Sequence, residues 1–227
     1  MTTLLVLWDI DHTLIAMRGI GGQLFGIAFE QTLGVPMKRQ ALIDGMTDQT
    51  IFAATAREHG ITVATADFSR FAVALADAHV AHLPQIRERG HALPGAPSAV
   101  AAFAALGIRQ SVATGNIAAT ARIKLAAFGL DNEMDWPAGA FGDDADNRPD
   151  LIRTARLRSG HQPTDIVVIG DTPADIHGAR TNNIRAVGIA SGKSTENELR
   201  AAGAGATLTD LTDTKRLLEA VGIRAKD

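Results

Sequence analysis

Four short polar clusters carry the residue types for chemistry: Asp9-Ile10-Asp11-His12-Thr13, Thr114-Gly115-Asn116, Asn147-Arg148-Pro149-Asp150, and Gly170-Asp171-Thr172-Pro173-Ala174-Asp175. Together they supply several carboxylates, a hydroxyl and a cation. That set suits phosphoryl transfer. A phosphoryl group carries negative charge that repels an anionic nucleophile. Magnesium, held by a few carboxylate and carbonyl oxygens, screens the repulsion and orients the group. A carboxylate can then attack and form an aspartyl-phosphate. A second carboxylic acid must protonate the leaving oxygen and later deprotonate water. A Thr hydroxyl, backbone N–H groups and an Arg or Lys stabilise the equatorial oxygens.

Such clusters need a scaffold that converges them. Leu4 to Trp8 is an unbroken apolar run, as a strand buried on both faces requires. Similar runs cover Arg109 to Ala113, Asp165 to Ile169 and Arg185 to Ala190, with a weak last one at Ala206 to Leu208. Helical patterns follow at Ala118 to Phe128, Ala174 to Asn182, Glu196 to Ala202 and Thr214 to Val221. Alternating strands and helices predict an α/β fold with a doubly wound parallel sheet. In such sheets functional groups collect at the carboxyl ends of the strands, where the polar clusters stand or open the next helix. About 80 residues between the first strand and Leu93-Pro94-Gly95 break the alternation, which is too long for a βα crossover. Helices are expected near Gln23–Leu33, Gln49–His59 and Phe68–Arg87, with no convincing strand. The expected division is a core of residues 1–15 and 92–227 and an inserted all-helical module of residues 16–91.

The motifs resemble those of the haloacid dehalogenase superfamily. Asp9-Ile10-Asp11-His12-Thr13 is similar to its D-x-D-x-T signature, Thr114 to its Ser/Thr motif, and Gly170–Asp175 to its acidic G-D-x-x-x-D motif. They occur in the family's order and span nearly the whole chain. The helical insert resembles the cap of the phosphoglycolate-phosphatase-like branch, on a Rossmann-like core. The resemblance implies a magnesium-dependent phosphatase acting on a small phosphorylated metabolite. Asp9 would be the nucleophile and Asp11 the general acid/base. Thr114, with Gly115 and Asn116, would hold the phosphoryl group. Asp171 would bind magnesium with Asp9 and the carbonyl of Asp11, and Asp175 would complete or buttress that site. The family's Lys-Pro reads Arg148-Pro149 here, and Arg148 can grip phosphate oxygens in a planar fork. Lys124, on the helix after Thr114, is a rival for the phosphate-binding cation, and the two can act together. His12 replaces the family's usual Gly and reads as a surface or packing residue. A phosphomutase would need the same two aspartates, and a non-catalytic binding protein on this fold is a further alternative. Asp11 disfavours dehalogenation, whose signature lacks it.

Composition narrows the field. The 227 residues include no cysteine, which removes disulfide scaffolds, thiolate zinc sites and thiol nucleophiles. A formal net charge of -3 argues against nucleic-acid binding. No apolar stretch reaches the ~20 residues of a membrane span, and Met1-Thr2-Thr3 offers no basic leader. A cytoplasmic location is the expectation. Gly192-Lys193-Ser194-Thr195 lacks the first glycine of a P-loop, and Gly19-Ile20-Gly21-Gly22 lacks the third of a dinucleotide fingerprint. The latter reads as a flexible lead into the insert. His79 and His82 read as surface residues. Asp44-Gly45-Met46-Thr47-Asp48 should form a tight loop capping the next helix. The same loop is expected to face the phosphoryl site, with Thr47 and Asp48 ranking substrates.

Overall fold

The computed structural model describes residues 4–223; Met1–Thr3, read above as lacking a basic leader, lie outside them. In chain order the strands are β1 (Leu5–Trp8), β2 (Ile15–Ala16), β3 (His91–Ala92), β4 (Arg109–Val112), β5 (Ile166–Gly170), β6 (Arg185–Ile189) and β7 (Ala206–Leu208). The helices are α1 (Ile20–Leu33), α2 (Asp48–Glu58), α3 (Thr65–Ala81), α4 (Leu83–Arg89), α5 (Ala96–Ala105), α6 (Ala118–Ala127), α7 (Arg148–Ser159), α8 (Pro173–Thr181), α9 (Glu196–Ala202) and α10 (Thr214–Ala220).

Five strands form one parallel sheet in the order β4-β1-β5-β6-β7. β1 is flanked on both edges, which explains its unbroken apolar run. Val6 and Trp8 enter a cluster with α5, α6 and α10, while Leu5 and Leu7 enter one with α7, α8 and α9. All four are fully buried. Gln110 and Ser111 are buried polar residues on β4, and the Ser111 hydroxyl donates to the Asp135 carbonyl at 2.7 Å. The Gln110 amide accepts from Trp8 Nε1 at 3.0 Å and donates to the Val100 carbonyl at 3.0 Å, so no buried group there is left unpaired.

Helices α1 to α3, joined by Ile117, build a second cluster around Phe25, Phe29, Phe52, Phe68 and Phe71, with Phe52 and Phe71 stacked at 4.4 Å, while Ile86 of α4 packs into the sheet's core. The insert is not free of strands, as the sequence suggested. β2 and β3 pair antiparallel, Ile15 with Ala92 and Ala16 with His91, and so tie its two ends together. Two residues per strand are too few for an alternating pattern to show. The expected Phe68–Arg87 helix is two. α3 ends at Ala81, and α4 restarts after His82 with Pro84 in its first turn, because proline cannot continue a helix past its neighbour's carbonyl. α5 is a helix that the sequence pattern does not announce, since its alanine-rich run shows little polar contrast. Gly19 caps α1 with φ 83°, while Gly21 and Gly22 lie inside that helix rather than in a flexible lead. Among the described residues no helix is long and apolar enough to cross a membrane.

Candidate active site

The carboxyl ends of β1, β4 and β5 are neighbours in the sheet, so the residues after them converge. The Asp9 N–H donates to the Ile169 carbonyl at 2.8 Å, and the Ala113 N–H to the Trp8 carbonyl at 2.9 Å. These bonds carry the register one step beyond each strand and fix where Asp9, Thr114 and Asp171 leave the sheet. Asp9, Asp171 and Asp175 are buried, and each offers a carboxylate oxygen within 4.8 Å of the others. Arg148 reaches them from the first turn of α7. Its Nη1 donates to Asp9 Oδ1 at 3.1 Å and to the Ala113 carbonyl at 2.9 Å. Its Nε lies 3.0 Å from Asp175 Oδ1, a charge pair without hydrogen-bond alignment. The other oxygen of Asp175 accepts from the Thr172 N–H and hydroxyl at 3.1 and 2.7 Å, closing the cap of α8.

This group is short of positive charge. With all three buried carboxylates ionised, the one guanidinium would leave two negative charges unbalanced. Burial pushes Asp9 up to about 7 against the pull of Arg148, with Asp175 and Asp11 adding repulsion. Burial, with Asp9 and Asp175, pushes Asp171 up to about 8. Hard oxygen donors and a deficit of two charges fit a divalent cation such as Mg²⁺. Asp171 also accepts from Thr13 Oγ1 at 3.3 Å. Gly192 closes over it so tightly that a Cβ there would stand 1.9 Å from Asp171 Oδ2. Gly192 therefore has a packing reason unrelated to a P-loop.

The two rival cations hold different carboxylates. Lys124 donates to Asp11 Oδ2 and Oδ1 at 2.8 and 3.0 Å and to Asn116 Oδ1 at 2.5 Å. Asn116 Nδ2 donates to Asp11 Oδ2 at 2.7 Å and to Thr114 Oγ1 at 2.8 Å. The Asp11 carboxylate is thus held by Lys124 and Asn116 and is not part of the Asp9–Asp171–Asp175 group. Burial works to raise Asp11, but the Lys124 charge and the hydrogen bonds from Lys124 and Asn116 outweigh it and hold it below the ordinary value. His12 is exposed and takes φ 64°, the left-handed region that glycine enters freely. A backbone demand thus accounts for the glycine usual at this point of the motif.

A cavity of about 550 Å³ opens over these groups, between the sheet and α1 to α3. Asp44, Gly45, Met46 and Asp48 line it. The Asp48 N–H donates to the Gly115 carbonyl at 2.8 Å, and Asp48 Oδ2 accepts from the Ile117 N–H at 2.9 Å. Burial raises Asp48 to about 6. A Cβ on Gly115 would meet the Met46 carbonyl oxygen at 2.2 Å, so only glycine permits this approach. Lys193, from the loop after β6, pairs with Asp44 at 2.9 Å. Thr47 does not line the cavity. Its hydroxyl caps α2, accepting from the Thr50 N–H at 3.3 Å. Thr47→Ala should therefore cost about 0.5–2 kcal/mol in a denaturation curve and leave the ranking of substrates unchanged. Asp48→Ala should change that ranking across a panel of phosphate esters.

His79 corrects a further reading. It is 2% exposed, not a surface residue, and it lines the cavity. Its apolar neighbours on α3 gave no sign of this. Asp48's bond to Ile117 and Gly192's contact with Asp171 also lay beyond sequence reasoning, since each joins segments far apart in the chain.

The model of the haloacid dehalogenase-like hydrolases matches residues 6–180, and a second hydrolase model of that kind matches residues 147–214. None of the curated proteins matches the chain. Several solved structures do. A hydrolase from Pseudomonas syringae is 25% identical, with 96% of this chain and 98% of that one covered and a TM-score of 0.71. A β-phosphoglucomutase from Clostridium difficile is 13% identical over 97% of each chain, with a TM-score of 0.70. A protein from Haemophilus somnus described as a predicted phosphoglycolate phosphatase is 18% identical, with 96% and 99% covered and a TM-score of 0.68. The last two likenesses bear on the fold alone. With a family match over most of its length, on the fold and motif order described above, this chain belongs to the haloacid dehalogenase-like hydrolase family.

Proposed function

We propose that the protein is a Mg²⁺-dependent phosphatase that hydrolyses a small phosphorylated metabolite through an aspartyl-phosphate on Asp9. The observation that carries this reading is the division of labour between two carboxylates two residues apart. Asp9 faces Arg148 and the acidic group, while Asp11 is held aside by Lys124 and Asn116. One is aimed at an electrophile and the other at protons.

Mg²⁺, held by Asp9, Asp171 and the Asp11 carbonyl with Asp175 as a buttress, would screen the phosphoryl charge and orient the group. Arg148 keeps the Asp9 carboxylate oriented. The Thr114 hydroxyl, the backbone at Gly115 and Asn116, and Lys124 bind the phosphoryl oxygens. Asp9 attacks phosphorus, the ester P–O bond breaks, and a proton from Asp11 goes to the leaving alkoxide. Asp11 then takes a proton from water as the water oxygen attacks the aspartyl-phosphate. Inorganic phosphate leaves and Asp9 is restored. The Lys124 pairing keeps Asp11 ionised, which suits the second half. A phosphoryl dianion arriving beside Lys124 competes for that ammonium and raises Asp11 toward its protonated form. Residues 16–91 act as a cap over residues 1–15 and 92–227, and exclude water before attack.

Release of inorganic phosphate from a generic aryl phosphate, with Mg²⁺ and with chelator, tests the reading. Release only with Mg²⁺ supports it; no release in either condition contradicts it.

A pH signature follows from the acidic group. Asp9 and Asp171 hold protons up to about 7 and about 8, against an ordinary 3.8. The folded chain therefore binds more protons than the unfolded chain between roughly pH 4 and 8, and metal-free stability falls as pH rises through that window. A divalent cation held by Asp9 and Asp171 would compete with those protons, so its stabilising effect should grow with pH. Melting in chelator and in Mg²⁺ should show a larger Mg²⁺ shift at about pH 8 than at about pH 6. Equal shifts would contradict the assignment of these groups to the cation.

A further inference from the structure

The inner wall of the cavity is formed by Phe25, Ile51, Leu75, His79, Thr120 and Lys124, all buried. Three are apolar, and the polar capacity of the others is largely spoken for. Lys124 donates to Asp11 and Asn116. The Thr120 hydroxyl donates to the Ile117 carbonyl at 3.1 Å, which leaves its oxygen as an acceptor. His79 Nδ1 stands 2.8 Å from the Leu75 carbonyl. A carbonyl only accepts, so Nδ1 carries the proton and Nε2 of the neutral ring keeps a lone pair. That Nε2 is buried and has no partner among the described residues. An unpaired buried acceptor is costly and calls for an explanation.

We propose that His79 Nε2 accepts a hydrogen bond from a hydroxyl of the substrate's leaving group, so that the substrate is the monophosphate of an uncharged, hydroxyl-bearing alcohol. This rests on the phosphatase reading above. The wall has acceptors to offer and needs a donor in return. A carboxylate brings only acceptors and would face two lone pairs. An ammonium brings donors but meets Lys124, and burial with the same ammonium already pushes His79 down to about 4, a measure of how poorly the position holds positive charge. A neutral hydroxyl on a short carbon frame satisfies Nε2 and covers the apolar wall.

The test compares kcat/KM for n-propyl phosphate, glycerol phosphate and carboxyethyl phosphate in Mg²⁺. The wild type should prefer glycerol phosphate over n-propyl phosphate by about tenfold or more, and should disfavour the carboxylate. His79→Leu should bring the glycerol-to-propyl ratio close to one, mainly through KM. His79→Gln, which keeps an acceptor, should retain much of the preference and serves as a second folded variant. A preference that survives His79→Leu, a wild type with no such preference, or a wild type that favours the carboxylate overturns the proposal while leaving the phosphatase reading intact. Failure of the wild type to hydrolyse any ester, aryl phosphate included, overturns both.

Discussion

Asp9→Asn should lower turnover of any phosphate ester by roughly 10³-fold or more, with no loss of folded stability. An amide oxygen can still accept from Arg148 Nη1, which now sits 3.1 Å from Asp9 Oδ1. It cannot attack phosphorus and persist as a leaving group in the second half-reaction. The substitution also removes an ionisable carboxylate from a group in which burial first, and mutual repulsion second, raises Asp9 and Asp171. Metal-free stability should therefore hold or rise, while Mg²⁺ affinity falls. Asp11→Asn should lower turnover at saturating Mg²⁺, because it removes the proton carrier and leaves the backbone carbonyl in place. A purified Asp9→Asn variant with near-wild-type turnover would exclude the covalent route.

Arg148→Met should be the most destabilising change in the site. Arg148 is 6% exposed and stands between Asp9 and Asp175, also buried. Removing one partner of a buried pair leaves an uncompensated charge, at a cost of about 3–5 kcal/mol. Chemical denaturation in chelator reads that cost directly. Mg²⁺ should recover part of it by supplying positive charge to the same carboxylates. Turnover should fall by roughly 10²-fold or more, since Asp9 loses its orienting donor. Arg148→Lys keeps the charge, but a single ammonium cannot span Asp9, Asp175 and the Ala113 carbonyl, so an intermediate loss is expected. Equal denaturation midpoints for Arg148→Met and wild type in chelator would show that the guanidinium does not balance these carboxylates.

The parallel sheet was legible because β1 and β5 are buried on both faces and read as apolar runs ending at aspartate. The acidic motifs were legible because they stand where such runs end. The division between Arg148 and Lys124 was not, because it depends on which carboxylate each cation reaches across 139 and 113 residues of chain. Lys124 has the same helical spacing whether its ammonium meets solvent or Asp11. Thr47 and Asp48 are adjacent, yet one turns inward as a cap and the other onto the cavity wall, and only the docked loop separates them. His79 and His82 have no third metal ligand at helical spacing, which favours a surface reading of both, and one helical step decides that His79 enters the cavity while His82 stays partly exposed. The two-residue β2–β3 pair gives no periodicity to read, whereas the helix break at Pro84 is written in the sequence itself.

The central claim is a covalent phosphoryl group on Asp9. Enzyme mixed with an aryl phosphate and Mg²⁺, quenched in acid within a single turnover and digested, should yield a peptide carrying Asp9 heavier by one phosphoryl group. The adduct should disappear on brief treatment with hydroxylamine, as an acyl phosphate does, and should be absent from Asp9→Asn. Steady release of phosphate by the wild type with the phosphoryl group found on another residue, or by Asp9→Asn at a comparable rate, would contradict the account.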